Sequence, residues 1–238
     1  MTATPSLLLR VYAAAIFLSA ALLFAVQPMF TKMVLPKLGG TPSVWSVAMV
    51  FFQAALLAGY AYAHWLARAL RPLPAAFFHV AVLAVAATAL PIGIAQGFAA
   101  PPADGIILWL FALIAASIGL PFTALAASAP LLQSWFAASG HPRAHNPYVL
   151  YAASNLGSFS ALLAYPFVAE PLLRLHDQTV LWSVGYGVLA ALIAAAGLFT
   201  ARGRRPVRLR PPRTPGRPRR IALPGSRSPP FPPVSSSP

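Results

Sequence analysis

Few residues of this chain have side chains that can do chemistry, and their spacing limits what that chemistry is. His141 and His145 stand four apart, the spacing with which two histidines on one helix hold zinc. Gly140, Pro142 and Pro147 argue against a helix there and no carboxylate lies nearby in sequence, so no metal site is expected. Nucleophilic catalysis lacks its parts as well. There is no cysteine, and the serines and histidines are scattered without a motif. Asp104, Glu170 and Asp177 are the only acids and form no buried pair for general acid–base work. What remains is hydrogen bonding. Gln53, Tyr60 and His64 recur at i, i+7 and i+11, a single helical face, while Tyr151, Asn155 and Ser158 share the turns of a second stretch. Gln53, Tyr60, His64, Asn155 and Ser158 are therefore the candidate lining of a polar cavity. The chain reads as non-enzymatic, with no cofactor.

The elements that must position these groups are apolar helices with smooth edges. In 147–171, PYVLYAASNLGSFSALLAYPFVAEP, the small residues Ala153, Gly157 and Ala161 recur every fourth position. Ala55, Gly59 and Ala63 make a second such stripe. Between helices in lipid, close backbone approach over small residues replaces the hydrophobic drive that water supplies. Each stripe predicts a partner helix. An amide such as that of Asn155 is costly against acyl chains, so it is expected to face other helices.

Composition agrees that lipid is the main solvent. Of 238 residues 58% are hydrophobic and 8% charged, against about a quarter charged in a soluble domain. Apolar runs predict an all-α integral membrane domain over 1–201 with six spans, at about 11–30, 44–65, 75–96, 106–136, 147–170 and 181–200. Thr31 to Ser43 reads as a connector, with Gly39-Gly40 and two prolines, and Pro28 stands where the first helix should end. Trp45 and Trp65 bracket the second span as interfacial anchors. The fourth run is too long for a straight crossing. Pro121 and Pro130, which free the carbonyls of Ser117 and Ala126, predict a kink or an interfacial turn through Gln133-Ser134-Trp135.

Charge settles the orientation. Of 17 Lys and Arg, ten lie after Ala201, whereas all three acids lie before it. Arg10, Arg68, Arg71 and Arg143 on one side barely outnumber Lys32, Lys37 and Arg174 on the other. The ten arginines after the last span resist translocation and place both termini in the cytoplasm. Residues 202–238, almost all Arg, Pro, Gly and Ser, are expected to be disordered and to bind anionic lipid headgroups without specific nucleic-acid recognition. A GC-rich gene read out of frame would give the same composition, and both origins stay open. Offsetting the chain by about 105 residues brings Pro28 near Pro130, Pro42 onto Pro147 and Tyr60 onto Tyr165, which suggests two inverted three-helix repeats.

Three blocks in order, VQPMFTKMVLPKLGGTPSVWSVAMVFFQAALLAGYAYAH (26–64), IGLPFTALAASAPLLQSWFA (118–137) and the 147–171 stretch, carry a family likeness. Over about residues 7–200 the chain resembles the N-terminal membrane region of bacterial fused major-facilitator/spermidine-synthase-like proteins. The third block is also similar to the last-span pattern of membrane-fused aminopropyltransferases. The resemblance implies half of a major-facilitator-like unit, an inner-membrane location, and a synthase-like cytoplasmic domain after the spans. This sequence departs from the pattern at about Ala201. It shows no glycine-rich nucleoside turn, Gly39-Gly40 being an isolated pair, and no acid after Asp177, so no catalytic residue carries over.

Two functions fit these residues. One is a non-catalytic anchor or scaffold for a partner, such as a synthase-like domain. The other is a half-transporter that forms a homodimer to move a small polar solute, polyamine or organic acid. A polycation needs more carboxylate along its path than Glu170 alone, so a neutral or anionic solute suits the lining better.

Overall fold

The computed structural model describes residues 5–38, 41–98, 101–102 and 104–203, and among them every regular element is helical. The helices are α1 (Pro5–Leu38), α2 (Pro42–Ala69), α3 (Pro72–Ala86), α4 (Ile106–Ile114), α5 (Leu120–Ala137), α6 (Tyr148–Ala164), α7 (Glu170–Leu172) and α8 (Leu175–Gly203). A 3-10 turn, Ala87–Ala89, extends α3. The π turn Ala115–Gly119 joins α4 to α5, and the π turn Tyr165–Ala169 joins α6 to α7. Five helices are long and apolar enough to cross a membrane: Ser6–Lys37, Pro42–Ala69, Pro72–Ala89, Ile106–Ala137 and Leu175–Thr200. Many large apolar side chains, among them Leu57, Phe77, Leu108, Phe167 and Leu181, are exposed, as befits a surface bathed in hydrocarbon. This is the build of a multi-pass membrane protein. The stretch 148–172 is helical throughout but is not among those five.

Contacts give each helix its direction. Gly157 of α6 lies against Phe17 of α1, and thirteen residues further on Glu170 Oε1 meets Lys32 Nζ at 2.9 Å, so α1 and the 148–172 run are parallel. α8 is antiparallel to α1: Tyr12 meets Ala196 and Thr200, while Trp182 Nε1 donates to the Leu22 carbonyl at 2.9 Å. It is antiparallel to α3 as well, with Ala76 beside Gly197 and Tyr186 Oη donating to the Leu83 carbonyl. α2 runs parallel to α4 and α5, with Phe51 on Phe111 and Gly59 on Ala126. α1 and α5 are antiparallel at the centre, joined by Tyr12 on Phe136 and by Ser19 near the Leu125 carbonyl. α6 flanks α1, α2 flanks α5, and α3 and α8 pack together on one side.

The small-residue stripes sit at the two flanking contacts. A Cβ on Gly59 would lie 2.7 Å from the Ala126 Cβ and 2.8 Å from the Thr123 carbonyl oxygen. Ala55 and Ala63 are buried in the same seam. A Cβ on Gly157 would collide with the Phe17 carbonyl, and Ala161 is buried one turn on, with Ala153 packed against the core one turn before.

Several expected boundaries move. α1 does not end at Pro28 but runs to Leu38, so most of the expected connector 31–43 is helix. Polar side chains brace the turns around the proline, Gln27 Nε2 donating to the Leu23 carbonyl at 3.3 Å and Thr31 Oγ1 to the Gln27 carbonyl at 2.8 Å. The third span stops at Ala89 rather than 96, because Pro91 has no N–H to continue the ladder and disfavours helix at the residue before it. The break in the fourth run falls in the turn before Pro121, as the π turn. Pro130 lies inside regular helix, and 133–135 continue that helix, with Trp135 only 1% exposed rather than interfacial. α8 begins at Leu175, ahead of the expected 181, and reaches Gly203. Gly39-Gly40 and the rest of the expected tail lie outside the described residues.

The seam between α1 and α6 yields a direct test. Gly157→Ala should lower stability by about 1–3 kcal/mol, the usual cost of overpacking. Gly187→Ala, where a Cβ meets nothing within 4 Å, should leave it unchanged or slightly raised. Apparent Tm by fluorescence-detected size exclusion measures both.

Candidate functional site

On α2 the residues Gln53, Tyr60 and His64 are all exposed and share one face. At about 100° per residue that face is opposite Tyr62, whose ring reaches toward α3 and touches His79. On α6, Tyr151 and Asn155 are exposed and Ser158 half-buried, and they lie opposite Ser160, which faces the gap toward α8. Both polar sets therefore point to the same side of the bundle, away from α3 and α8. That opposite side is apolar, with Phe77, Val85, Val184 and Val188 exposed.

Asn155 is a correction to the sequence reading, which had it facing other helices. It is exposed. The reason is helical geometry: two residues apart are about 200° apart, so once Gly157 is pressed on α1, Asn155 must turn outward. Neither the Gln53 nor the Asn155 amide has a hydrogen-bond partner among the described residues, and Ser158 Oγ donates to the Asn155 backbone carbonyl at 3.0 Å. His64 is not isolated. Near the end of α2, Arg68 Nη1 donates to its Nε2 at 3.1 Å. Tyr60 and Tyr165, paired by the internal offset, differ in environment, the first exposed and the second buried.

The groups the structure does bring together were not among the candidate lining residues. His79 of α3, 0% exposed, bridges three helices: Nδ1 lies 3.4 Å from Tyr62 Oη of α2 and Nε2 lies 3.1 Å from Ser128 Oγ of α5. Ser128 Oγ in turn donates to the Ala124 carbonyl at 3.3 Å. Assigned from this network, the proton order is Tyr62 O–H to Nδ1, Nε2–H to Ser128, and Ser128 O–H to the backbone. The imidazole is thus neutral, which avoids burying a charge in hydrocarbon. Ser128 is also 0% exposed. The arrangement is a three-helix pin. Its signal was an ionisable residue alone in an apolar run, which in a membrane by itself marks a candidate site.

His141 and His145 occupy turns rather than a helix; His141 Nδ1 accepts from the Arg143 backbone N–H at 3.0 Å and its ring lies on Phe136. Among the described residues no three metal-ligating side chains cluster. No family model, curated protein or solved structure matches this chain.

Removing the pin should be costly. His79→Ala leaves a cavity and strands two partners, an expected loss of about 2–4 kcal/mol, whereas Ser128→Ala should cost about 1 kcal/mol. Unfolding in mixed SDS micelles measures both.

Proposed function

We propose that this chain is a six-crossing, non-catalytic membrane module that works by docking a membrane partner on the polar face of α2 and α6. The observation that carries the reading is the pair of unpartnered amides, Gln53 and Asn155, on that one side. In hydrocarbon a lone amide is costly, and a partner helix that supplies hydrogen bonds removes the cost. The resemblance of 26–64, 118–137 and 147–171 to the membrane region of fused synthase-like proteins supports the role of anchor or scaffold.

Support for a sixth crossing comes from the parallel pairing of α1 with 148–172. Their contacts advance together from Phe17 and Gly157 to Lys32 and Glu170, so the two rods cover the same depth. At 1.5 Å per residue the run of 148–172 is about 37 Å long, enough for a core of about 30 Å. With six alternating crossings both termini lie on one side, and the positive-inside rule makes that side the cytoplasm of a cell with an inner membrane. The inverted repeat has parallel support. Exchanging the first and second triplets turns the α1–α6 contact into that of α5 with α2, and each is seated on a glycine.

A second reading, the half-transporter, draws on the same face. In a two-fold homodimer Gln53, Tyr60, His64 and Asn155 of each copy would border a polar cleft for a neutral or anionic solute. Uptake into liposomes decides between the two. Saturable flux of an amino acid, organic acid or polyamine would establish the transporter, and its absence leaves the scaffold.

The chain has no cysteine, so single cysteines report topology against a blank background. With six crossings, Asp104→Cys and Arg174→Cys should both react with an impermeant maleimide on intact spheroplasts, and Arg71→Cys and His145→Cys only after permeabilisation. Labelling of position 174 together with 145 would mean five.

A further inference from the structure

On the α8 side, remote from the polar face, α1, the 148–172 run and α8 do not close on one another. They leave a cavity of about 380 Å³, walled by apolar side chains such as Phe17, Leu22, Ala25 and Trp182. That volume is toward the small end of the range for small-molecule sites.

Three polar side chains interrupt the apolar wall, Ser160 at the rim and Tyr165 and Gln178 deeper in. Tyr165 is 8% and Gln178 5% exposed, and Tyr165 Oη and Gln178 Oε1 are buried with no hydrogen-bond partner among the described residues. The amide cannot flip to relieve this. Gln178 Nε2 already donates to the Ala169 carbonyl at 3.1 Å and the Leu173 carbonyl at 3.0 Å, which leaves Oε1 as the orphan. Ala169 is also the last residue of the π turn that begins at Tyr165, so the Gln178 amide is held on the turn that carries Tyr165. An unsatisfied buried acceptor costs free energy unless something donates to it. A fatty acyl chain has no donor and cannot relieve it. A hydroxyl can, giving its proton to Gln178 Oε1 or accepting one from Tyr165, once either side chain turns toward the cavity.

We propose that this cavity is a binding site for an apolar molecule carrying a single hydroxyl group, of the long-chain alcohol class. The apolar body lies along α1 and Trp182, and the hydroxyl lies at the Tyr165–Gln178 end. The site does not depend on the docking face of α2 and α6, so the two readings stand or fall separately.

The test uses the full chain in phosphatidylcholine nanodiscs with a photoreactive dodecanol and its methyl ether, which keeps the acceptor and loses the donor. Photolysis followed by peptide mapping should show the alcohol labelling 160–185 about fivefold over the ether, the factor of one net hydrogen bond. Ala164→Trp, which fills the cavity from its exposed rim, should abolish that labelling. Tyr165→Phe, which removes a donor that both probes can use, should lower labelling by both and leave the alcohol's preference in place, while apparent Tm holds or rises, because it deletes an orphan hydroxyl without changing shape. Equal labelling by the two probes would show that an acyl chain or water fills the cavity and would overturn the proposal. So would labelling spread evenly over the bundle, or alcohol selectivity that survives Ala164→Trp.

Discussion

The close approach of backbones at two glycines is the constraint on which the rest of this bundle depends. Gly157 lets α6 lie on the Phe17 carbonyl of α1, and Gly59 lets α2 lie on α5. In water, apolar faces would be driven together whatever their shape. In lipid the tails compete for those faces on equal terms, so contact must come from van der Waals fit. Once α6 is seated, the outward direction of Asn155, the side on which Ser160 meets the α8 gap, and the meeting of Lys32 with Glu170 all follow from helical geometry.

A second rule governs the buried polar groups: most return to the backbone. Ser117 and Ser128 donate to carbonyls four residues earlier, Trp182 donates to Leu22, and Tyr186 donates to Leu83. Ser117 also accepts from the Ala95 N–H at 2.9 Å and so ties the segment after α3 to the π turn before Pro121. Such bonds cost little specificity in sequence, since any helix offers carbonyls, yet those of Trp182, Tyr186 and Ser117 with Ala95 fix register between segments far apart in the chain. Against that background the exceptions carry meaning. The open amides of Gln53 and Asn155 mark one face, and the orphans of Tyr165 and Gln178 mark one cavity on the other side.

The prolines show how local chemistry and packing divide the outcome. Pro28, Pro121, Pro130 and Pro166 each lack an N–H, yet only Pro121 and Pro166 come with π turns, while Pro28 and Pro130 sit in unbroken helix. Pro91 ends its helix altogether, and the following segment is held by burial of Ile92 and by the Ala95–Ser117 bond. A proline makes a carbonyl available. What takes up the slack is decided by the neighbours.

From the sequence alone came the apolar solvent, the helical class, the five long apolar helices to within a few turns, and the glycines on which helices meet. All of these are local: length of an apolar run, and small residues four apart. Which helix each stripe meets, the bridge from His79 to Tyr62 and Ser128, the burial of Trp135, and the gap beside Tyr165 and Gln178 were decided by the tertiary structure. The physical reason is that inside and outside are equally apolar here. A helix in water betrays its buried face by hydrophobic contrast, whereas a helix in lipid carries leucine and phenylalanine on both faces. Only assembly distinguishes them.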